Sequence, residues 1–179
     1  MNNDLYDLWS QNPNCWSNRE VAVVRYSWAI PGANALAKIA KHGPVLEVGA
    51  GKGYWARLVS ELGANVLATD AKPWPEPFYP VERLDAVDAV QQHGKGRNLL
   101  MVWPPLGSSM ALNALSSYLL VAQPGSRIFY VGEGSYGCTG CDVFHHMLDE
   151  RCELEGTVGT PQWGGLHDNL HVYTIKDGL

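Results

Sequence analysis

The sequence has no long apolar run. Nothing in it approaches the ~18 consecutive apolar residues of a membrane-crossing helix, so no membrane partner is expected. It is poor in charge, at 17% Asp, Glu, Lys and Arg, and carries a formal net charge of −5. It lacks any cluster of Lys and Arg, so a sequence-independent grip on a phosphate backbone, which needs a basic face, is not expected either. Cysteine is scarce: Cys15, Cys138, Cys141 and Cys152 are the four present. Only one C-x-x-C occurs, Cys138-Thr139-Gly140-Cys141, with His145 and His146 beyond it. The second pair of a structural zinc site is missing. These cysteines read as small, partly buried thiols, reduced in a cytoplasmic setting, and no metal is expected. The start, Met1-Asn2-Asn3-Asp4, lacks the basic region and apolar core of a secretory signal, so a cytoplasmic location is expected. No internal repeat or long linker divides the chain, and a homodimer is left open.

What is present suits an ordinary globular fold. At 179 residues with 46% apolar side chains, residues 1–179 read as one domain with a sizeable core. The most informative stretch is Val45-Leu46-Glu47-Val48-Gly49-Ala50-Gly51-Lys52-Gly53-Tyr54-Trp55. An apolar strand enters a glycine-rich turn, and the turn opens a helix. A second strand, 65–69, then leads to Asp70. Strand, glycine turn, helix and a strand ending in a carboxylate make a nucleotide cradle. Glycine lets the backbone take positive φ and approach a ligand closely, and the carboxylate can accept both hydroxyls of a ribose. The spacing is G-x-G-x-G and not the G-x-G-x-x-G of dinucleotide sites.

Elsewhere strands and helices alternate. A helix is expected over 33–41, strands at 44–48, 65–69, 79–84, 98–103 and 127–131, and helices near 53–62, 85–93, 108–122 and 140–151. Two alternating runs, 154–160 and 169–175, read as a closing antiparallel pair. This is an α/β chain with a doubly wound, mostly parallel sheet. Residues 1–30, with Tyr6, Trp9, Trp16, Tyr26 and Trp28, show no strand or long helix signal. They read as a mobile lid within an N-terminal extension, 1–43, that precedes an α/β core, 44–179.

The cradle, with Glu47 two residues before its first glycine, resembles the first motif of class I S-adenosylmethionine (SAM)-dependent methyltransferases. Tyr26-Ser27-Trp28-Ala29-Ile30-Pro31, Trp103-Pro104-Pro105, Tyr130-Val131-Gly132-Glu133, Gly137-Cys138-Thr139-Gly140 and Pro161-Gln162-Trp163 extend the resemblance to a group of small methyltransferase-like proteins. The resemblance implies a Rossmann-like sheet of seven strands in the order 3-2-1-4-5-7-6, with strand seven antiparallel. It implies SAM as cofactor, held by Glu47, Gly49, Ala50, Gly51, Gly53, Tyr54, Asp70, Ala71, Asp85 and Trp103. Trp103-Pro104-Pro105-Leu106 only partly matches the [Asn/Asp/Ser]-Pro-Pro-aromatic motif of amino-methyltransferases. The polar residue and the aromatic are both replaced, which speaks against exocyclic-amine chemistry by that route.

The acceptor side is expected to involve Tyr26, Trp28, Pro104 and Trp163 as walls. His167, oriented by Asp168, is the candidate base, and Glu133 and Trp103 complete the catalytic candidates. A small-molecule acceptor is the leading expectation. A nucleotide or nucleic-acid base methyltransferase, and a SAM-binding protein without catalysis, are the alternatives.

Overall fold

The computed structural model describes residues 2–72 and 74–176; Met1, Pro73 and residues 177–179, which the expected domain spans, lie outside them. The strands are β1 (Val45–Val48), β2 (Val66–Asp70), β3 (Val81–Arg83), β4 (Asn98–Val102), β5 (Arg127–Gly132), β6 (Cys152–Gly159) and β7 (Asn169–Ile175). The helices are α1 (Asp4–Gln11), α2 (Trp16–Arg25), α3 (Ala33–Lys41), α4 (Tyr54–Glu61), α5 (Ala86–His93), α6 (Met110–Val121) and α7 (Asp142–Arg151). They build one seven-stranded sheet in the order β3-β2-β1-β4-β5-β7-β6. The first five strands run parallel, and β7 is antiparallel to both neighbours. This is the Rossmann-like order the sequence resemblance implies.

The central strands are largely apolar because both faces of the sheet are covered. On one face Val45, Leu100, Phe129 and Val172 pack with Leu5, Ala22, Leu36, Trp55 and Val59 of α1 to α4. On the other Leu46, Leu99, Met101 and Ile128 pack with Val90, Leu115, Tyr118, Phe144 and Leu148 of α5 to α7. Among the described residues no helix is long and apolar enough to cross a membrane.

Three differences from the sequence reading matter for the site. The N-terminal segment is not free of helix: α1 and α2 occupy most of it. The Asn3 side chain caps α1 by accepting from the Tyr6 amide, and Leu5, Leu8 and Trp9 form its apolar stripe. Helices of eight and ten residues, split by Asn12-Pro13-Asn14, leave only a short periodic signal. The third strand shrinks to Val81–Arg83 at the sheet edge. The fourth ends at Val102, since Trp103 turns to a positive φ of 52°. A bulky residue there costs on the order of 1–3 kcal/mol, which its surroundings must offset.

Candidate active site

The carboxyl ends of β1, β2 and β4 converge on two adjoining compartments that share Trp28, Gly49, Gly51, Trp74 and Val102. The inner one, about 70 Å³, is also bordered by Tyr26, Ser27, Glu47, Ala50 and Lys52. The outer cleft, about 420 Å³, continues past Asp70, Ala71, Ala86, Trp103, Pro104, Pro105 and Met110. Only the outer one falls in the ~300–1,000 Å³ range of small-molecule sites.

The floor of the inner compartment is set by the turn after β1. Gly49, Gly51 and Gly53 take φ of 66°, 56° and 71°, values that L-residues with a Cβ seldom adopt. A Cβ on Gly49 would come within 3.0 Å of Met110 Cε, whereas one on Gly51 would meet nothing within 4 Å. Gly51 therefore faces open space. The turn is tied to β2: the Ala50 amide donates to Thr69 O (2.9 Å), and Asp70 accepts from the amides of Gly51 and Lys72 (2.8 Å each). Each Asp70 oxygen retains capacity for a further donor.

Glu47 is 2% exposed. Its Oε2 is buried without a partner. Burial pushes its carboxyl up to about 8; the Ala56 amide opposes this only in part, and the Asp70 charge adds to it. A buried carboxyl with one unpartnered oxygen, beside Gly51 facing open space, has the chemistry to accept from a cationic donor.

The Trp103 side of the outer cleft is held by two carboxylates. Asp168, 1% exposed, accepts from Trp103 Nε1 at 2.7 Å. Trp103 in turn stacks on Trp28, with ring centroids 5.1 Å apart and planes at 11°. Burial raises the Asp168 carboxyl to about 6, with the Trp103 bond opposing. Glu133 accepts from the amides of Cys138 (2.7 Å) and His167 (2.8 Å). Burial would raise its pKa, but these bonds outweigh it and leave the carboxyl below its usual range. The Pro104-Pro105 turn is paired with Thr139 and Gly140, and the Pro104 carbonyl accepts from the Gly140 amide at 2.9 Å.

Ten of the sequence-derived site residues thus border the two compartments: Tyr26, Trp28, Glu47, Gly49, Ala50, Gly51, Asp70, Ala71, Trp103 and Pro104. The rest lie elsewhere. Gly53 is the turn before α4, packed against Tyr79 and Val81. Tyr54 is buried, its hydroxyl accepting from the Leu5 amide and donating to Asn3 Oδ1. Asp85 caps α5 through the amides of Val87 and Asp88; its neighbour Ala86 is the one that reaches the cleft. Trp163, expected as an acceptor wall, is 2% exposed and belongs to the core. The His167–Asp168 dyad is also corrected. The His167 imidazole is 81% exposed and stands 3.5 Å from Glu133, not paired with Asp168, which turns inward to Trp103.

The C-x-x-C segment fastens the loop after β5: Thr139 bonds Tyr130 and the Glu133 amide, and Cys141 precedes α7. Cys138 is a poor nucleophile, its thiol raised to about 12 by burial and by Glu133. Among the described residues no group of three or more His, Cys, Asp or Glu side chains is placed to hold a metal ion. Sequence reasoning missed Val102, Met110 and Trp74. The last sits in a proline-rich loop whose course no periodic signal fixes.

No protein-family model matches the sequence, and no curated protein sequence matches it. Solved structures do match the fold. The 1,6-didemethyltoxoflavin-N1-methyltransferase of Burkholderia thailandensis, determined with 1,6-didemethyltoxoflavin and S-adenosylhomocysteine, superposes with a TM-score of 0.60 at 17% identity, over 97% of this chain and 86% of that one. The magnesium protoporphyrin IX methyltransferase of Synechocystis PCC 6803, determined with SAM, gives 0.58 at 13% identity over 96% and 91%. TrmN from Thermus thermophilus gives 0.54 at 18% identity over 80% of this chain, which spans about half, 48%, of that protein. The chain has the class I methyltransferase fold.

Proposed function

We propose that this protein is a SAM-dependent methyltransferase acting on a small molecule. The observation that carries the reading is Glu47: a buried carboxyl with an unpartnered oxygen, bordering a glycine cradle whose far end is Asp70. The residues present fit SAM. Glu47 would meet the methionyl ammonium, the turn at Gly49–Gly51 would admit the chain, and Asp70 would accept from the ribose hydroxyls. Ala71, Ala86 and Met110 offer an apolar bed for the adenine. When bound, SAM supplies a methyl group made electrophilic by a positively charged sulfur.

The protein's own contribution is alignment and exclusion of water. Trp28 and Trp103 form a stacked indole wall on the acceptor side, and aromatic faces stabilise an adjacent cation. Tyr26, Ser27 and Trp28 narrow the inner compartment, so we expect this strap to shift outward when SAM enters. The fold neighbour determined with 1,6-didemethyltoxoflavin, and the one named for magnesium protoporphyrin IX, support a small acceptor. The exocyclic-amine route of base methyltransferases loses support here. Trp103 offers no hydrogen-bond acceptor where that route needs one, and its one donor points at Asp168.

Calorimetry with SAM and NAD tests the reading. SAM is expected to bind with micromolar affinity, and binding of NAD alone would overturn it. Asp70→Ala is expected to weaken SAM by about tenfold or more, since a hydrogen bond to a charged group is worth roughly 1.5–3 kcal/mol. Unchanged affinity in the folded variant would remove Asp70 from the cofactor site.

A further inference from the structure

Arg19, half-buried on α2, is not used by the reading above. Its guanidinium carbon lies 5.2 Å from the ring centre of Trp16, 5.4 Å from Trp28 and 5.5 Å from Trp103. Three indoles share one cation, which fixes its place without neutralising it. Among the described residues no carboxylate oxygen lies within 4.0 Å of it. Its Nε is buried without a partner. Among the described residues its terminal nitrogens have no hydrogen-bond partner either, and they are not enclosed.

A guanidinium offers five donors in a rigid fork that matches a carboxylate. Held by ring faces and left unpaired, it is prepared for an anion that arrives from outside. A group serving only to balance Asp168 would pair with it, yet that carboxylate accepts from Trp103 Nε1 at Oδ1 and its Oδ2 is unpartnered. Two of the three rings, Trp28 and Trp103, border the outer cleft beside Pro104 and Pro105, and Trp28 is 48% exposed. Indole and proline surfaces accept flat conjugated rings.

We propose that Arg19 anchors the methyl acceptor, binding the carboxylate of a flat aromatic acid whose ring lies against Trp28. The proposal rests on the methyltransferase reading of the cleft. The methionyl end of SAM also bears a carboxylate. Arg19 itself borders neither compartment, but of the rings that hold it Trp28 and Trp103 both border the outer cleft, whereas only Trp28 reaches the inner compartment where Glu47 and the glycines lie. The acceptor is therefore the source assigned.

The test uses 2-naphthoate as probe, with neutral 2-naphthamide beside it, followed by tryptophan fluorescence on the whole protein, Arg19→Gln and Arg19→Lys. SAM binding to each is measured separately by calorimetry. Naphthoate should quench saturably and bind about tenfold or more tighter than the amide. Arg19→Gln should erase that preference, and Arg19→Lys, which keeps the charge but not the fork, should retain part of it. SAM affinity should stay within about twofold in both variants, which also shows that they fold. Equal binding of naphthoate and naphthamide, no saturable naphthoate binding, or an unchanged preference in Arg19→Gln would overturn the proposal. Loss of SAM binding with naphthoate unaffected would overturn it too, and would assign Arg19 to the methionyl carboxylate. If SAM binds none of the three proteins, the methyltransferase reading fails, while the naphthoate comparison still reports on Arg19.

Discussion

The cradle and the acceptor wall lie side by side but are made differently. The cradle is contiguous chain: residues 47–53 and one carboxylate from the next strand, shaped by backbone φ values and main-chain amides. The acceptor wall is gathered from distant places: Trp28 beside α2, Trp103 after β4, Glu133 after β5 and Asp168 before β7. It is shaped by side chains, with Glu133 and Asp168 fastening three loops. A site written in backbone is broken by adding atoms, and one written in side chains by removing them.

The largest effect should come from adding a β-branched side chain to the cradle. Gly53→Val places a Cβ 2.9 Å from that of Tyr79 at a φ of 71°. The left-handed backbone costs about 1–2 kcal/mol and the overpacking a further ~1–3 kcal/mol. We expect no measurable SAM binding and a clearly lower denaturant midpoint. Wild-type affinity would show that the turn's shape is not what the cradle depends on.

A smaller effect isolates Glu47. The unfolded chain loses this proton near 4.5, and the folded, ligand-free protein near 8. The fold therefore loses stability as pH rises across that interval, and Glu47→Gln should flatten the part between 6 and 8, above the range of Asp168. SAM binding should move the other way. If the ionised carboxylate meets the ammonium, affinity rises with pH, by up to about tenfold per unit where one proton is released. Calorimetry in buffers of different ionisation enthalpy measures that proton directly, and none released would detach Glu47 from the cofactor.

The smallest effect on ligand binding belongs to the wall's fastening. Glu133→Ala strands the amides of Cys138 and His167 and should cost ~1–3 kcal/mol in stability, read from urea unfolding. SAM affinity should stay within about twofold. A large loss of SAM affinity would mean that wall and cradle are one mechanical unit.

The same contrast explains what could be read in advance. Gly49, Gly51 and Asp70 were legible because their meaning is local: strand, turn, helix, strand. The sheet order came with the resemblance and agrees with the observed pairing. Trp163 was not legible, because its loop folds back on the N-terminus: Trp9 Nε1 donates to Gln162 O and the Gly164 amide to Pro13 O. Asp168 stands next to a histidine in sequence, yet its partner is an indole sixty-five residues away. Arg19 carried only part of a signal: Trp16 stands one helical turn before it on α2, but Trp28 and Trp103 come from outside that helix.

The tie at Thr139 bears on how such a protein could change over time. Its hydroxyl meets Tyr130 and the Glu133 amide, and a Cβ on Gly132 would lie 2.6 Å from that oxygen and 2.8 Å from the Tyr130 hydroxyl. Positions 130, 132 and 139 can therefore be exchanged only as a set, and single changes among them should be purged before any benefit is tested. Arg19 and Trp16 on α2 are held by ring faces and not by such close hydrogen-bonded packing. New acceptors would be won by drift on that helix, with the loop behind the wall inherited intact.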